Sequence, residues 1–173
     1  MKFDTAKSSN MKIFRRFSLI SALCFLTSVS ALCADITITA TSVASSETNA
    51  CKYILGKAGG TITAGQAVYY DSTTNSFKLA DADASATTAK VLGIALNGAS
   101  TGQKVRVCTY DPNFTIGATV VIGDTFWLST TAGGITKTAT EGVASASYVA
   151  VLGVAVSTTK IFLNPIRAGA VRP

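Results

Sequence analysis

Apolar and polar positions alternate over short runs along most of this chain. Asp35-Ile36-Thr37-Ile38-Thr39 sets the pattern, with β-branched residues at four of five positions. A period of two in such residues predicts a half-buried strand. Further strands are predicted at Cys51–Leu55, Ala67–Tyr70, Phe77–Leu79, Val91–Leu96, Lys104–Thr109, Thr119–Ile122, Thr125–Leu128, Ile135–Lys137, Tyr148–Val156 and Lys160–Leu163. Gly, Asn, Asp and Ser turns separate them. Many short strands at intervals of about ten residues point to an all-β fold, a compact barrel- or sandwich-like domain. No window carries the period of a long amphipathic helix. Asp81–Thr88 is Ala-rich, but its Asp, Ser and Thr residues favour a loop.

The strands fall into a unit that occurs twice. The first copy runs Gly65-Gln66-Ala67-Val68-Tyr69-Tyr70 and later Val91-Leu92-Gly93-Ile94-Ala95-Leu96. The second runs Gly123-Asp124-Thr125-Phe126-Trp127-Leu128 and later Val151-Leu152-Gly153-Val154-Ala155-Val156. Each goes from a glycine turn to an aromatic strand, then through Ser/Thr turns to a Val-Leu-Gly-aliphatic-Ala-aliphatic strand. Two copies are too few for an open solenoid, which needs three or more. They predict two halves of one closed β core. Gly65 and Gly123 are expected at turns. Gly93 and Gly153 are expected where backbones approach closely or a strand bends. The layout is thus an N-terminal strand, arm and linker over 35–60, a β domain over 61–166 with repeats at about 61–109 and 115–164, and a tail over 167–173.

Residues 1–34 differ. Lys12-Ile13-Phe14-Arg15-Arg16 precedes an uncharged, mostly apolar stretch from Phe17 to Ala34. This has the layout of a secretory signal peptide starting at or before Met11. Leu32 and Cys33 sit where a cleavage site prefers small residues. The stretch is also at the short limit for a membrane span. Two readings stay open, a working export signal and an upstream extension outside the working protein. The formal charge of +6 is mostly here: five cations and one anion lie in 1–34, against ten and eight in the remainder. The ten cations of the remainder are scattered singly along the sequence, which argues against nucleic acid as a partner.

Only 14% of residues are charged and 48% are hydrophobic. That composition suits packed β structure or a surface buried in an assembly, and does not suit disorder. The chain has no histidine, so the commonest general base and metal ligand are missing. Its four cysteines show no C-x-x-C spacing. Cys51 and Cys108 are expected to pair if the chain is exported and to be buried thiols if it is cytosolic, and free thiols are the preferred reading. Asp81 and Asp83 are read as turn residues, ahead of a catalytic carboxylate pair. Asp71-Ser72-Thr73-Thr74-Asn75 lacks the glycine and bidentate glutamate of a calcium loop, and reads as a hairpin turn. Tyr69, Tyr70, Phe126 and Trp127 are read as core or subunit packing ahead of a carbohydrate platform. No catalytic, metal or cofactor residues are assigned.

Ala34-Asp35-Ile36-Thr37-Ile38-Thr39-Ala40-Thr41-Ser42-Val43 resembles the amino terminus of small tailed-phage head decoration, or capsid cement, proteins. Ile62–Asp71, Phe77–Asp83, Gly93–Ala99 and Val151–Ala155 resemble later blocks of the same family. The likeness covers about residues 34–166. It implies a non-catalytic virion protein that binds the outside of a shell of major capsid protein, commonly as a homotrimer. On that reading no membrane or nucleic acid is engaged, residues 1–34 are an upstream extension, and Asp35, Ile36, Thr37, Ile38 and Thr39 form an arm that adds to a sheet edge on the shell. The rival expectation is an exported, β-rich surface or adhesin-like subunit delivered by the N-terminal segment.

Overall fold

A computed structural model describes residues 35–46, 50–137 and 147–171, so the signal-like segment over 1–34 lies outside the described residues. The all-β expectation holds. Among the described residues nine strands follow in order: β1 (Lys52–Lys57), β2 (Ala67–Asp71), β3 (Ser76–Leu79), β4 (Val91–Ala95), β5 (Lys104–Thr115), β6 (Thr125–Leu128), β7 (Ile135–Thr136), β8 (Tyr148–Ala155) and β9 (Lys160–Val171). The path through the sheet is β3-β2-β4-β5-β9-β8-β6-β7, and β1 pairs with β5 off this path. All named pairings are antiparallel.

That order is the same unit written twice and joined at one seam. β2 pairs with β3 and β4 as β6 pairs with β7 and β8, and β4 leads to β5 as β8 leads to β9. The equivalence extends to single registers. Val68 faces Gly93 as Phe126 faces Gly153, and Ile94 faces Cys108 as Val154 faces Phe162. Each aromatic strand carries its irregularity at the same place, between Val68 and Tyr69 and between Phe126 and Trp127. Turn hydrogen bonds repeat too. The Gly65 N–H donates to the Ala95 carbonyl at 2.8 Å, and the Gly123 N–H to the Ala155 carbonyl at 3.0 Å. Both glycines have positive φ, +92° and +90°, which a side chain rarely adopts.

Gly93 and Gly153 are the tightest points of each copy. A Cβ at Gly93 would overlap the Cys108 carbonyl, and one at Gly153 would overlap the Phe162 carbonyl. Neither neighbour is a flexible side-chain end, so neither can swing away. This is the close approach the sequence predicts.

The seam is the pairing of β5 with β9, in which Asp111 faces Leu163, Phe114 faces Ile161 and Thr115 faces Lys160. Both strands run longer than their apolar runs predict. Each contains a proline, which has no N–H to give a ladder. Pro112 sits within the irregularity between Asp111 and Phe114, and Pro165 within that between the Ile166 and Leu163 pairings. Bulges let both strands continue past their prolines. β9 therefore takes in residues 167–171, expected as a tail.

The main core spans both halves and includes Tyr69, Ile94, Phe114, Phe126, Leu152 and Ile161. A smaller core, with Ile62, Val68, Phe77, Val105 and Val107, fills the curl of the first half. There Ala58 bridges Phe77 in parallel, and the Gly59 N–H donates to the Phe77 carbonyl at 2.7 Å, so β1 is drawn back toward β3.

Two predicted strands are absent. Thr119–Ile122 is a turn approach, with the Asp124 N–H donating to the Val121 carbonyl at 3.1 Å. Its apolar side chains Val121 and Ile122 stand in solvent, 62% and 64% exposed. Asp35–Thr39 is extended but not laddered and leads into a 3-10 turn at Ala40–Ser42.

Gly93→Ala and Gly153→Ala should each destabilise the domain by about 3 kcal/mol, the upper end of overpacking costs. Gly60→Ala should cost less than either, since nothing lies within 4 Å of its added Cβ. Urea unfolding of the three variants checks the ranking.

Candidate functional site

Asp35, Ile36, Thr37, Ile38 and Thr39 are expected as a half-buried strand and capsid-contact arm. They lie half-buried along their own domain without a ladder. The Ile36 N–H donates to the Ile135 carbonyl and the Thr39 N–H to the Gly117 carbonyl, both at 2.8 Å. Ile36, Ile38 and Val43 pack against the main core. Ala44 forms an antiparallel bridge with Thr115. Further on, buried Asp111 accepts from the Ser46 N–H at 2.7 Å and from the Ser46 hydroxyl, and also from the Asn113 N–H at 2.9 Å. The alternation of this segment is real, but its bonds go to single residues of separate elements, Ile135 in β7 and Gly117 beyond the end of β5, so no ladder forms.

Cys51 and Cys108 form a disulfide, with Cα atoms 5.9 Å apart. This corrects the preferred reading of free thiols. The register explains the contact. Tyr53 faces Cys108 across the β1–β5 pair, and the irregularity between Lys52 and Tyr53 brings Cys51 alongside. The two sulfurs and a carboxylate oxygen of Asp111 lie within 4.8 Å of one another, the one grouping of metal-ligating atoms among the described residues. With the sulfurs joined and Asp111 bound to Ser46 and Asn113, that grouping has no thiolate to offer.

The acidic loops are turns. Asp71 accepts from the Thr73 N–H and the Thr74 hydroxyl, both at 2.9 Å, and from the Lys78 ammonium at 2.7 Å. These bonds, that to Lys78 foremost, hold its carboxyl far below the usual carboxylate range, and Lys78 is raised in turn by Asp71. Asp81 accepts from the Asp83 and Ala84 N–H groups at 3.1 and 3.3 Å, an Asx turn. A hydrogen bond shared with Asp81 pushes Asp83 up.

What the fold builds is surface. The two units are equivalent, yet only one has its outer face covered. Ile94 and Cys108 of the first unit are 0% exposed, while their counterparts Val154 and Phe162 are 40% and 36% exposed. Tyr69 is buried where its counterpart Trp127 is half-buried. The first unit lays this face against the second, through bonds such as Ala82 N–H to Ser129 carbonyl and Tyr148 N–H to Ala82 carbonyl. The second unit has nothing in that position among the described residues. Phe162 meets Tyr110 edge-on at 5.7 Å, so the open face continues onto β5.

A second surface lies on β1, most of which is exposed on both faces. Its residues Tyr53 and Leu55 are 54% and 53% exposed. Beside it a groove runs between Ile54, Leu55 and the β2–β3 hairpin at Tyr70, Asn75 and Phe77. The ribbon of β1 and β5 also gathers cations that the sequence scatters. Lys52 lies 5.5 Å over the Tyr110 ring and Arg106 4.5 Å over the Tyr53 ring. Lys57 stands directly opposite Lys104.

No family model matches the chain, and no curated protein matches it. No helix among the described residues is long and apolar enough to cross a membrane.

Reducing the disulfide should destabilise the domain, because the bond closes a loop of 57 residues in the unfolded chain. Loop-closure entropy puts the loss at about 4 kcal/mol. Denaturant unfolding with and without reductant measures it, with Cys51→Ser as the matched control.

Proposed function

We propose that this chain is a non-catalytic structural subunit that decorates and braces a tailed-phage capsid, self-associating through the open face of its second unit. The observation that carries the reading is that face. A small domain with few charges exposes Val154 and Phe162 on one half while burying their matching positions, Ile94 and Cys108, on the other, and Val156 and Ile166 are exposed as well. Large exposed apolar patches mark interaction sites. The resemblance of Asp35–Val43 and the later blocks to head decoration proteins supports a shell of major capsid protein as the partner, and copies joined as trimers as the working form.

The mechanics follow from area. Packaged, self-repelling DNA strains a shell, and a clamp across neighbouring capsomers adds buried surface that must be lost before the shell opens. One protomer's contact can be modest, because three joined copies engage at high effective concentration. The segment 35–46 reaches the shell only after releasing its bonds to Gly117, Ile135, Thr115 and Asp111. Contacts made by the body therefore come first.

In sedimentation analysis the purified chain is expected as a trimer and Val154→Asp/Phe162→Asp as a folded monomer. Particles should carry the chain at a fixed ratio to capsid protein, and particles stripped of it should rupture at lower temperature. A monomeric wild type would remove the self-association. Absence of the chain from purified particles would remove the capsid reading.

A second reading is an exported, adhesin-like surface subunit. The Cys51–Cys108 disulfide favours it, since such bonds persist in oxidising compartments. Virions released from a lysed cell also meet an oxidising medium, so the bond does not exclude the first reading. Mass spectrometry of the native protein separates them. Cleavage near residues 33–34 in cells producing the chain supports export. An amino terminus created by initiation near the same place, in particles, supports the capsid.

A further inference from the structure

We propose that the free edge of β1 is a docking site for an acidic, extended segment of a partner protein, which adds to the sheet as another strand. The inference stands on the β1–β5 ribbon alone and does not depend on the capsid reading.

The edge is open and held in place. β1 pairs only with β5, so its other side has no strand partner among the described residues. At one end Cys51 is tied to Cys108. At the other, the Ala58 N–H donates to the Gln103 carbonyl at 2.8 Å and Gly59 is bound to Phe77. A strand fixed at both ends with one bare edge has already lost the freedom that docking would otherwise cost. The groove lined by Ile54, Leu55, Tyr70 and Phe77 lies beside that edge and can receive alternate apolar side chains of an added strand.

Charge identifies the occupant. Lys52, Lys57, Lys104 and Arg106 lie on this ribbon, which carries no carboxylate along either paired stretch. The one ion pair among the described residues is elsewhere, Lys78 with Asp71. Lys57 opposite Lys104 is a like-charge pair, which is destabilising in a sheet. An anionic side chain on the added strand would lie beside Lys57 on its open side and offset that cost. A second copy is a poor occupant. Antiparallel self-pairing of β1 about Ile54 and Leu55 would set Lys52 of each copy against Lys57 of the other. Edge lysines thus guard against self-pairing while leaving an acidic strand welcome. Nucleic acid fits less well, because a phosphate backbone would use the cations and leave the bare amides and the apolar groove unused.

The test uses the full chain and two synthetic octapeptides with the same Thr-Val-Thr-Val centre, one flanked by glutamates and one by lysines. The acidic peptide should bind saturably in fluorescence anisotropy and slow hydrogen exchange of the backbone amides in Tyr53–Gly56. The exposed double variant Lys57→Glu/Lys104→Glu should keep the native circular dichroism, weaken the acidic peptide by about tenfold or more, and gain the lysine peptide. Absence of saturable binding overturns the proposal. So does binding without amide protection in β1, which would be charge attraction only. So does a single-stranded oligonucleotide that binds this ribbon more tightly than the acidic peptide at equal salt.

Discussion

The pairing of β5 with β9 is the contact on which the rest of this domain depends. Each repeated unit ends in one of these strands, and neither unit closes without its own. Beyond the units, the two strands meet each other, place Phe114 and Ile161 in the shared core, and so make one domain from two copies. β5 takes on more still. It pairs β4 and β1, holds the disulfide through Cys108, and presents Asp111 to the N-terminal segment. A strand with this many obligations must run past the length that its apolar pattern supports. The bulge at Pro112 makes that possible, and the bulge at Pro165 does the same for β9.

The seam also sets where the surfaces fall. Two equivalent units cannot cover the same face of each other in a closed pair unless the pairing is symmetric, and here it is not. The first unit's face at Ile94 and Cys108 goes inward, and the second unit's face at Val154 and Phe162 stays outside. Such a head-to-tail contact leaves one face unused at the end of the chain. The unused face is apolar because its residues descend from the same pattern that fills a core. Exposure of Val154 thus follows from repeating a core-forming pattern in a unit that has no neighbour on that face among the described residues, and it is a ready place for further association.

Much of the fold was legible in the sequence because it is written in residue types with narrow uses. Gly93 and Gly153 stand in register within apolar runs, and only a residue without Cβ fits beneath the Cys108 and Phe162 carbonyls. Gly65 and Gly123 mark left-handed turns for the same reason. The misses also have physical causes. Proline signals a strand end, so the far halves of β5 and β9 were hidden. Thr119–Ile122 has strand composition, but a turn bond at Val121 wins over propensity. The Asp35–Thr39 alternation reports the half-burial of Ile36 and Ile38 correctly, yet a ladder needs a run of partners, and Gly117 and Ile135 each supply only a single bond.

The candidate surfaces were the least legible, because both arise from register. Lys52 and Lys57 are separated from Lys104 and Arg106 by nearly fifty residues of sequence, and read along the chain they are isolated charges. Antiparallel pairing brings them onto one ribbon, with Lys57 facing Lys104 and Leu55 facing Arg106. Cys51 and Cys108 are as distant, and the same pairing joins them. One register therefore produces the disulfide, the cation pair and the bare edge together. A shift of β1 by one residue would turn every side chain of the strand to the opposite face. The disulfide forbids that shift by fixing Cys51 beside Cys108. The covalent bond thus does more than stabilise the fold, since it also fixes which side chains the open edge presents.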